Sequence, residues 1–406
     1  MHKPIYLFVS PFFPTPESWR GGFCYDMARA LVREGTYDVR VFVPGDGPDY
    51  DMGGLHVVRF KQMALPCGAF PYLLWPCNKV LFLHAIKKTG INFEEIAICH
   101  SHGFAGYANA VKERNNRCLS LLHHHCLASI RRSIGLGRFG LLPLYADVMY
   151  LWTRREHMQI DCHVFCSERS RETYGLCFQS APEDRWRDVR KKLVLGCLLP
   201  EIKIPKGIVF YNGFDEHLFF PAPQRHSGFV IGCVANFQPL KDHMTLLRAF
   251  DLVHREFPET SLRLVGSGET RRECEKYVVR NGLTRAVSFE KEFLHNDLPR
   301  FFHAIDLFVL PSRLEGFCCV YMESIGCGVP FLACQGCSCE EVLTKESKTE
   351  FLVPPLDCKL FALKIKEIYL NRTKKPTLTR NMTYTILVKD YLVQLDSLLC
   401  GRSFSE

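Results

Sequence analysis

The chain has no apolar run long enough to form a membrane-spanning helix. Its most apolar stretch, residues 64–86, is interrupted by three prolines and carries Asn78 and Lys79. A spanning helix needs about 20 consecutive, predominantly apolar residues, so this stretch does not qualify. The first apolar run, Ile5–Val9, is too short for the core of a secretory signal and is soon followed by Pro11. We therefore expect a cytoplasmic protein.

The cysteines lack the pattern of a disulfide framework. There are 20 of them, scattered over 406 residues, and disulfides belong mainly to exported proteins. The spacing of Cys334, Cys337 and Cys339 resembles a metal site, but no second ordered Cys/His pair completes four zinc ligands. We expect reduced thiols, no bound metal, and no use of the glycosylation sequons at Asn371 and Asn381.

The composition is that of a folded globular protein. Charged residues make up 23%, hydrophobic residues 47%, and there are 28 Gly and 23 Pro. These proportions argue against disordered, collagen-like and coiled-coil chains. At about 150 residues per domain, the length predicts two or three domains.

Basic residues are concentrated in one stretch of the chain. The net charge is +8, and residues 112–206 contain 17 Lys/Arg against 10 Asp/Glu. Such a stretch is either a solvated face or a surface for anionic lipid or a charged acceptor. No zinc-finger, helix-turn-helix or RNA-binding aromatic signature accompanies it, so we expect no nucleic-acid partner. Peripheral contact with the inner membrane surface stays open, and apolar residues at 70–75 would contribute to it.

Strands and helices alternate along the chain in two series. In the first half, short apolar strands are predicted at residues 5–9, 39–43 and 119–122, with a helix at 23–34 between the first two. A second series starts at 229–235 and repeats the rhythm. Its further strands are predicted at 261–265, 287–289, 306–310 and 329–333, and its helices at 244–256, 270–281 and 321–326. This alternation predicts two doubly wound α/β domains.

The domain boundary is expected near residues 221–227, where Pro221, Pro223 and Gly228 interrupt regular structure. We predict an amino-terminal domain over residues 1–220 and a carboxyl-terminal domain over 221–382. A last helix, at 383–399, is predicted to return to the first domain. Ligands of open α/β sheets bind beyond the carboxyl ends of the strands, so two such domains facing each other would form a cleft there.

The strongest chemical signal is the stretch from Pro311 to Glu323. It lies where a strand ends and a helix begins, and the N–H groups of a helix start attract phosphate. Gly316 lets the backbone approach a ligand closely. Glu323 follows Gly316 by about two helical turns, so its carboxylate returns to the same side and can accept hydrogen bonds from two hydroxyls of a ribose.

This stretch resembles the Glu-x7-Glu donor-binding signature of glycosyltransferase family 4, the retaining GT-B enzymes, through Glu315 and Glu323. Further similarity covers nearly the whole chain. It is found at residues 211–215, 232–237 with Lys241, 264–268, 19–22, 100–102 and 123–125.

The resemblance implies a role for each matching residue. Glu323 would bind the nucleotide ribose, Lys241 the diphosphate, and Glu315 the donor sugar. The donor-binding residues would further include Gly316, Phe317, Cys318, Asn236, Phe293 and Leu294 at the phosphate and base, and Gly21 and Gly22 in a loop near phosphate and acceptor. His125, in preference to His124, would contact the sugar.

Each of these residues also has a purely structural interpretation. The three consecutive histidines at 123–125 could equally form a metal site or a satisfied strand end. Asn236 stands where many relatives have an arginine, and Cys318 where a glycine is usual. These differences concern diphosphate affinity and pocket shape, and they leave the predicted GT-B fold unchanged.

The resemblance predicts transfer of a hexose from a nucleotide diphosphate sugar to a glycan or lipid-linked glycan hydroxyl, with retention of configuration. A UDP-sugar is favoured over a GDP-sugar as the donor, and no metal cofactor is expected. Two alternatives remain open. One is a GT-B sugar-nucleotide epimerase or hydrolase, which needs a positioned acid/base pair. The other is an inactive nucleotide-sugar-binding protein, which the neutral Asn236 permits.

Overall fold

The computed structural model describes residues 3–16, 18, 21–63, 74–125, 152–153, 155–178, 207–223 and 228–400. The chain divides into two compact units. Unit 1 comprises Met1–Pro16, Met27–Tyr211 and Val388–Glu406, and unit 2 comprises Glu17–Asp26 and Asn212–Leu387. Both units are therefore assembled from separate stretches of the chain.

Unit 1 contains an eight-stranded sheet. Its strands are β1 (Ile5–Val9), β2 (Asp38–Pro44), β3 (Tyr50–Met52), β4 (Leu55–Phe60), β5 (Ile96–His102), β6 (Leu119–His124), β7 (Cys162–Phe165) and β8 (Gly207–Val209). The spatial order is β3-β4-β2-β1-β5-β6-β7-β8. Only the β3–β4 pair is antiparallel.

The central strands of this sheet are apolar because helices cover parallel sheets on both faces. All five residues of β1 are buried, as the continuous apolar run of that strand requires. Among the described residues of unit 1, the helices before residue 207 are α1 (Gly22–Glu34), whose first residues belong to unit 2, α2 (Trp75–Lys88), α3 (Gly106–Lys112) and α4 (Glu168–Phe178).

Unit 2 contains a six-stranded, wholly parallel sheet. Its strands are β9 (Phe229–Val234), β10 (Thr260–Val265), β11 (Val287–Glu290), β12 (Leu307–Leu310), β13 (Phe331–Cys334) and β14 (Leu352–Val353), in the order β11-β10-β9-β12-β13-β14. Chain order reverses at the β9–β12 pair. In open α/β sheets such a reversal marks the ligand site.

The strands of unit 2 alternate with helices. These helices are α5 (His243–Glu256), α6 (Arg271–Arg280), α7 (Leu298–Phe302), α8 (Cys319–Gly326), α9 (Lys345–Phe351) and α10 (Cys358–Leu370). Asp242 caps α5 and Asp357 caps α10, each by accepting a hydrogen bond from a backbone N–H. The predicted α/β class, with two parallel sheets, is confirmed.

The last helix, α11 (Tyr384–Cys400), contributes Val388 and the residues after it to unit 1. There the hydroxyl of Tyr391 lies 2.9 Å from the hydroxyl of Tyr6 on β1. Val388, Tyr391, Leu392 and Leu395 are all buried, and their helical spacing produces one apolar face.

Candidate functional site

The candidate site lies where β9 and β12 end in unit 2. Because these strands are neighbours and run parallel, the loops that follow them meet at one edge of the sheet. The loop after β9 carries Asn236 and Lys241, and the loop after β12 carries Glu315. The two loops are joined by their backbones, since Arg313 N–H donates to Leu240 O at 2.9 Å.

Two of the predicted site residues, Lys241 and Glu315, are in direct contact. Nζ of Lys241 donates to Oε1 of Glu315, and both side chains are mostly buried. Burial lowers the pKa of Lys241, but the adjacent Cys318 and Glu315 raise it by more, so the ammonium stays charged. The structure thus places a cation at the edge where the sequence predicted a diphosphate site.

Two side chains fix the backbone of the Glu315 loop. Oγ of Ser338 donates to Glu315 O at 3.1 Å, and Nδ2 of Asn212 donates to Phe317 O at 2.9 Å. Asn212 belongs to the motif at residues 211–215, so that motif has a structural role in holding this loop.

Helix α8 begins directly after this loop, with Cys318 at its N-cap. The Cys318 side chain makes no capping hydrogen bond, and the first turn contains no acidic residue. Such a helix start is suited to an anion, because its N–H groups lack intrahelical acceptors. Gly316, Phe317 and Cys318 lead into it.

The second predicted carboxylate belongs to a buried cluster of ionisable groups. Glu323 on α8, His295 and Asp26 place their oxygen or nitrogen atoms within 4.8 Å of one another, and all three are buried. Nε2 of His295 lies 2.9 Å from Oδ2 of Asp26. Oε2 of Glu323 is buried and has no hydrogen-bond partner among the described residues.

The pKa values in this cluster are shifted by burial and by charge. Burial raises the pKa of Glu323 to about 7, although the charge of His295 partly opposes the shift. Burial lowers the pKa of His295, but Asp26, Glu323 and Asp215 raise it by more, to about 9. At neutral pH His295 is therefore a cation surrounded by three carboxyl groups.

One of the two predicted glycines, Gly22, lies against this cluster. Gly21 has φ +90°, a backbone conformation that glycine adopts without strain. A Cβ atom on Gly22 would lie 3.1 Å from Nδ1 of His295. Gly22 therefore allows the close approach of the imidazole ring.

A cavity of about 320 Å³ adjoins the end of β9. Asn236, Phe293 and Leu294, three of the predicted donor-binding residues, line it together with Ser18, Val234, Ala235, Val265, Gly266, Glu292 and Leu298. The structure thus brings these residues together with the phosphate-binding candidates in one unit.

The Gly266-x-Gly268 pair, a weak signal by itself, shapes the wall of this cavity. Gly266 and Gly268 have φ values of +138° and +147°. A Cβ atom on Gly266 would lie 2.2 Å from Ala235 O, and one on Gly268 would lie 2.4 Å from Phe237 O. Both positions need glycine because the turn after β10 lies directly against backbone carbonyl groups of the loop after β9.

The predicted histidines belong to unit 1. Nε2 of His125 lies 2.7 Å from Nδ1 of His102, and Nε2 of His124 lies 2.9 Å from Nδ1 of His163. Burial lowers the pKa of His125 to about 3, so its ring is neutral. Sugar contact by His125 or His124 stays a prediction.

Sequence reasoning missed His295 and Asp26. Asp26 stands four residues after Gly22 on α1, and His295 directly follows the predicted base-site residue Leu294. Nothing in either local pattern links the two, because the stretches that carry them are separated by most of the chain.

Other predictions fall on different parts of the molecule. Sγ of Cys337 donates to Ser312 O at 3.1 Å, and no potential metal cluster among the described residues includes Cys334, Cys337 or Cys339. The greater part of the basic stretch 112–206, and residues 70–73 of the apolar segment, lie outside the described residues. Within the described ranges, no helix has the length and hydropathy needed to cross a bilayer.

The comparison with protein families concerns the unit that carries this site. Residues 215–384 match the family model "Glycosyl transferases group 1". The matched residues make up most of unit 2. The matched region includes Lys241, Glu315 and Glu323.

Curated relatives share part of the sequence. One relative is the GDP-mannose-dependent alpha-(1-6)-phosphatidylinositol monomannoside mannosyltransferase of Mycolicibacterium smegmatis. The two sequences are 28% identical over 138 residues, and the aligned part covers 30% of this chain and 36% of that protein. Another is mannosylfructose-phosphate synthase of Agrobacterium fabrum. It is 29% identical to this chain over 136 residues, and the aligned part covers 29% of this chain and 30% of that protein. The chain thus spans about a third of the length of these relatives.

Solved structures match over nearly the whole chain. Sucrose-phosphate synthase from Thermosynechococcus elongatus has a TM-score of 0.70 at 18% identity, covering 98% of this chain and all of that chain. Anabaena HepE in complex with UDP and glucose has a TM-score of 0.66 at 17% identity, covering 97% of this chain and all of that chain. The predicted GT-B fold is confirmed.

Proposed function

We propose that this protein is a retaining glycosyltransferase that transfers a hexose from a nucleotide diphosphate sugar to a hydroxyl of a glycan or lipid-linked glycan. One observation carries the proposal. A buried ion pair, Lys241–Glu315, and a buried carboxylate with an unsatisfied oxygen, Glu323, lie at the carboxyl edge of a parallel sheet. They do so within the residues that match the group 1 glycosyltransferase family model.

The diphosphate would bind between Lys241 and the start of helix α8. In the ligand-free protein Glu315 neutralises Lys241, and the donor would take over that ion pair. Glu315 would then accept hydrogen bonds from the donor sugar. The N–H groups around Gly316, Phe317 and Cys318 would stabilise the negative charge that develops as the sugar leaves.

Glu323 and the cavity would hold the nucleoside. The unpartnered Oε2 of Glu323 can accept ribose hydroxyls, which would compensate its burial. The base would enter the cavity beside Asn236, Phe293 and Leu294. Gly21 and Gly22 would lie near the ribose and phosphate, because Gly22 contacts the His295 cluster to which Glu323 belongs.

The proposed transfer needs no enzymic nucleophile and no metal cofactor. With retention, the acceptor attacks from the face of the leaving group, and the leaving phosphate helps to remove the acceptor proton. The protein then contributes orientation and positive charge, which Lys241 and the α8 N–H groups supply.

We propose uridine as the donor base. HepE, which matches nearly the whole chain, was crystallised with UDP and glucose. Two relatives that are named as GDP-mannose-dependent each match only 30% of this chain. Calorimetric titration with UDP and with GDP tests the choice, and tighter binding of GDP would refute it.

Nucleotide release distinguishes the transferase from its alternatives. The protein is incubated with UDP-sugars and GDP-sugars, with and without glycan and lipid-linked acceptors. The UDP or GDP that is released is then measured. A transferase releases it only with the right acceptor, a hydrolase releases it without one, and a binding protein releases none. The anomeric configuration of the product, read by NMR, tests retention.

Substitution of Lys241 tests the phosphate site. Lys241→Ala should lower turnover on the order of 100-fold, because a charge stabiliser of the transition state is lost. The matched control is Lys276→Ala, since Lys276 is exposed on α6 of the same unit. Normal turnover and donor affinity in Lys241→Ala would show that another group, such as Arg313, binds the diphosphate.

We also propose that any membrane contact is peripheral and depends on the basic stretch at 112–206. Each Lys or Arg near an anionic leaflet contributes about 1 kcal/mol, so a few of them suffice for binding. Flotation with phosphatidylserine vesicles should move the protein upward at low salt and not at high salt. Protein that stays at the bottom at low salt would contradict this.

A further inference from the structure

The amino-terminal unit contains a group of histidines on one face of its sheet. His100 and His102 lie on β5 two residues apart, so they point to the same face. His123 on the neighbouring strand β6 is in register with His102. Residues in register on adjacent parallel strands share a face, so all three rings meet there.

The three rings are close and buried. Their ring centroids are 4.3 Å apart for His100 and His102, 5.0 Å for His102 and His123, and 5.2 Å for His100 and His123. One nitrogen from each ring can be chosen so that all three lie within 4.8 Å of one another. The exposed fraction of each residue is 1% or less.

The hydrogen bonding of this group is incomplete. Neither nitrogen of His123 has a hydrogen-bond partner among the described residues, and Nε2 of His100 has none either. Buried polar groups in native proteins nearly always have a partner, so each exception needs an explanation. A bound group that accepts a lone pair from imidazole would satisfy Nε2 of His100 and one nitrogen of His123.

Tyr6 and Tyr391 orient the ring of His100. The hydroxyl of Tyr6 lies 2.6 Å from Nδ1 of His100 and 2.9 Å from the hydroxyl of Tyr391. If Nδ1–H of His100 donates to Tyr6, the Tyr6 hydroxyl donates on to Tyr391, and Nε2 keeps its lone pair. Metal-binding histidines are typically oriented by such a hydrogen bond from the other ring nitrogen.

We propose that His100, His102 and His123 form a binding site for a divalent transition-metal ion, with zinc as the expected ion. Three imidazoles are a typical open zinc site, in which water or hydroxide occupies the fourth position. The set contains no carboxylate, which disfavours magnesium and calcium. A hydroxide bound to the zinc ion would lower the net charge of the buried site from +2 to +1.

Binding requires a small rearrangement of the rings. Tetrahedral zinc at about 2.0–2.1 Å from each nitrogen brings the ligand atoms to about 3.4 Å from one another. In the ligand-free protein His100 and His123 stack with an interplanar angle of 3°, so their lone pairs do not converge. Rotation of the His123 ring about χ2 would break the stack and turn one of its nitrogens towards Nε2 of His100, while His100 keeps its hydrogen bond to Tyr6.

A second histidine group in the same unit provides the control. His124, His157 and His163 also cluster, but their nitrogens are occupied differently. Nε2 of His124 lies 2.9 Å from Nδ1 of His163, and Nε2 of His163 lies 3.1 Å from His157 O. Both nitrogens of His163 therefore have partners, and His163→Asn should leave the proposed site intact.

Metal binding is tested on full-length protein without an affinity tag. After treatment with EDTA and its removal, calorimetry with zinc chloride should show one equivalent bound with sub-micromolar Kd. The cobalt(II) form should show the intense visible bands of a four-coordinate ion. Absence of stoichiometric zinc binding by the wild-type protein would overturn the proposal, whatever the variants do.

Variants locate the site. His123→Asn should weaken zinc binding on the order of 100-fold or more, and Tyr6→Phe, which keeps all three ligands, by about tenfold. His163→Asn and the exposed His217→Asn should bind as the wild type does. Zinc affinity that is lost in His163→Asn and kept in His123→Asn would place the ion in the other cluster and refute the proposal. Circular dichroism confirms that each variant is folded, and Tyr6→Phe provides the test if His123→Asn does not fold.

Discussion

Glu323 is a carboxyl group whose ionisation should depend on the nucleotide. Burial raises its pKa to about 7, so near neutral pH a large fraction of the ligand-free protein carries it protonated. Ribose hydroxyls donate hydrogen bonds to the ionised form. If Glu323 binds ribose, nucleotide binding must therefore favour loss of its proton.

We predict that UDP affinity rises with pH between about 6 and 8 and that Glu323→Gln reduces this rise. The variant should also bind UDP about tenfold or more weakly, since hydrogen bonds to a charged group are lost. Calorimetry across this pH range measures both effects. The control is Glu346→Gln, because Glu346 is exposed on α9. A UDP affinity of Glu323→Gln that equals the wild type at every pH would contradict the ribose role.

His295 links the stability of the protein to pH. Its pKa lies near 9 in the folded protein, above the ordinary value of 6.5. The stabilisation from its charge is complete below pH 6.5 and is lost as the pH rises through about 9. Glu323 also lowers the stability of the folded protein as the pH rises, but in a lower pH range. Its carboxyl group stays protonated up to about pH 7 in the folded protein, above its ordinary pKa of 4.5.

We predict that the free energy of unfolding falls between pH 6.5 and 9 and that His295→Gln makes this fall smaller. The shift in the pKa of His295 corresponds to a change in the free energy of unfolding on the order of 3 kcal/mol at most. Urea denaturation at several pH values measures it, with the exposed His217→Gln as the control in the same unit. Equal pH profiles for His295→Gln and wild type would show that the imidazole is not charged in the folded protein.

At the scale of residues, the sequence predicted site residues that local motifs carry. Glu323 was identified from its place about two helical turns after Gly316, and Lys241 and Glu315, which follow two strands, from the resemblance to glycosyltransferase family 4. The ion pair between Lys241 and Glu315 joins the loops after these strands, since β9 and β12 are neighbours in the sheet. His295 and Asp26 could not be paired in this way, because no sequence pattern brings their stretches of chain together.

At the scale of elements, the turn after β10 is constrained by its neighbour. Gly266 and Gly282 both have positive φ, at +138° and +71°. A Cβ atom on Gly266 would lie 2.2 Å from Ala235 O, whereas one on Gly282 would meet nothing within 4 Å. Of the two, only Gly266 combines a positive φ with a close contact to a backbone carbonyl.

We predict that Gly266→Ala destabilises the protein by about 3 kcal/mol or more and weakens nucleotide binding, because Ala235 lines the cavity and must move. Gly282→Ala should cost about 1 kcal/mol, from the left-handed backbone alone, and leave nucleotide binding unchanged. Thermal denaturation and UDP calorimetry measure both effects. Equal stability losses in the two variants would show that the close contact at Gly266 relaxes without cost.

Element prediction was most successful in unit 2. The strands of unit 2 from β9 to β13 and its helices α5, α6 and α8 were predicted to within a few residues of their observed bounds. Helices α7, α9 and α10 and strand β14 were not predicted. Strand β14 has only two residues and α7 only five, so neither carries a periodic signal.

At the scale of the whole molecule, the division into two α/β units followed from the restart of the strand-helix rhythm. The exact membership of each unit did not. Residues Glu17–Asp26 belong to unit 2 although they stand near the amino terminus, and Val388–Glu406 belong to unit 1 although they stand at the other end. Membership of this kind depends on tertiary contacts, which apolar periodicity does not specify.

The carboxyl-terminal stretch of unit 1 should be essential for the stability of that unit. It buries Val388, Tyr391, Leu392 and Leu395, and Tyr391 also contacts Tyr6 on β1. Each large buried side chain contributes about 1.5–3 kcal/mol, so their sum is comparable with the whole stability of a domain, about 5–15 kcal/mol.

We predict that a chain ending at Leu387 loses the tertiary structure of unit 1, measured by near-ultraviolet circular dichroism and by proteolysis with cleavage sites mapped to each unit. A chain ending at Cys400 keeps the four buried side chains and is the matched control. Unchanged protease resistance of unit 1 in the shorter chain would show that its sheet is stable without this helix.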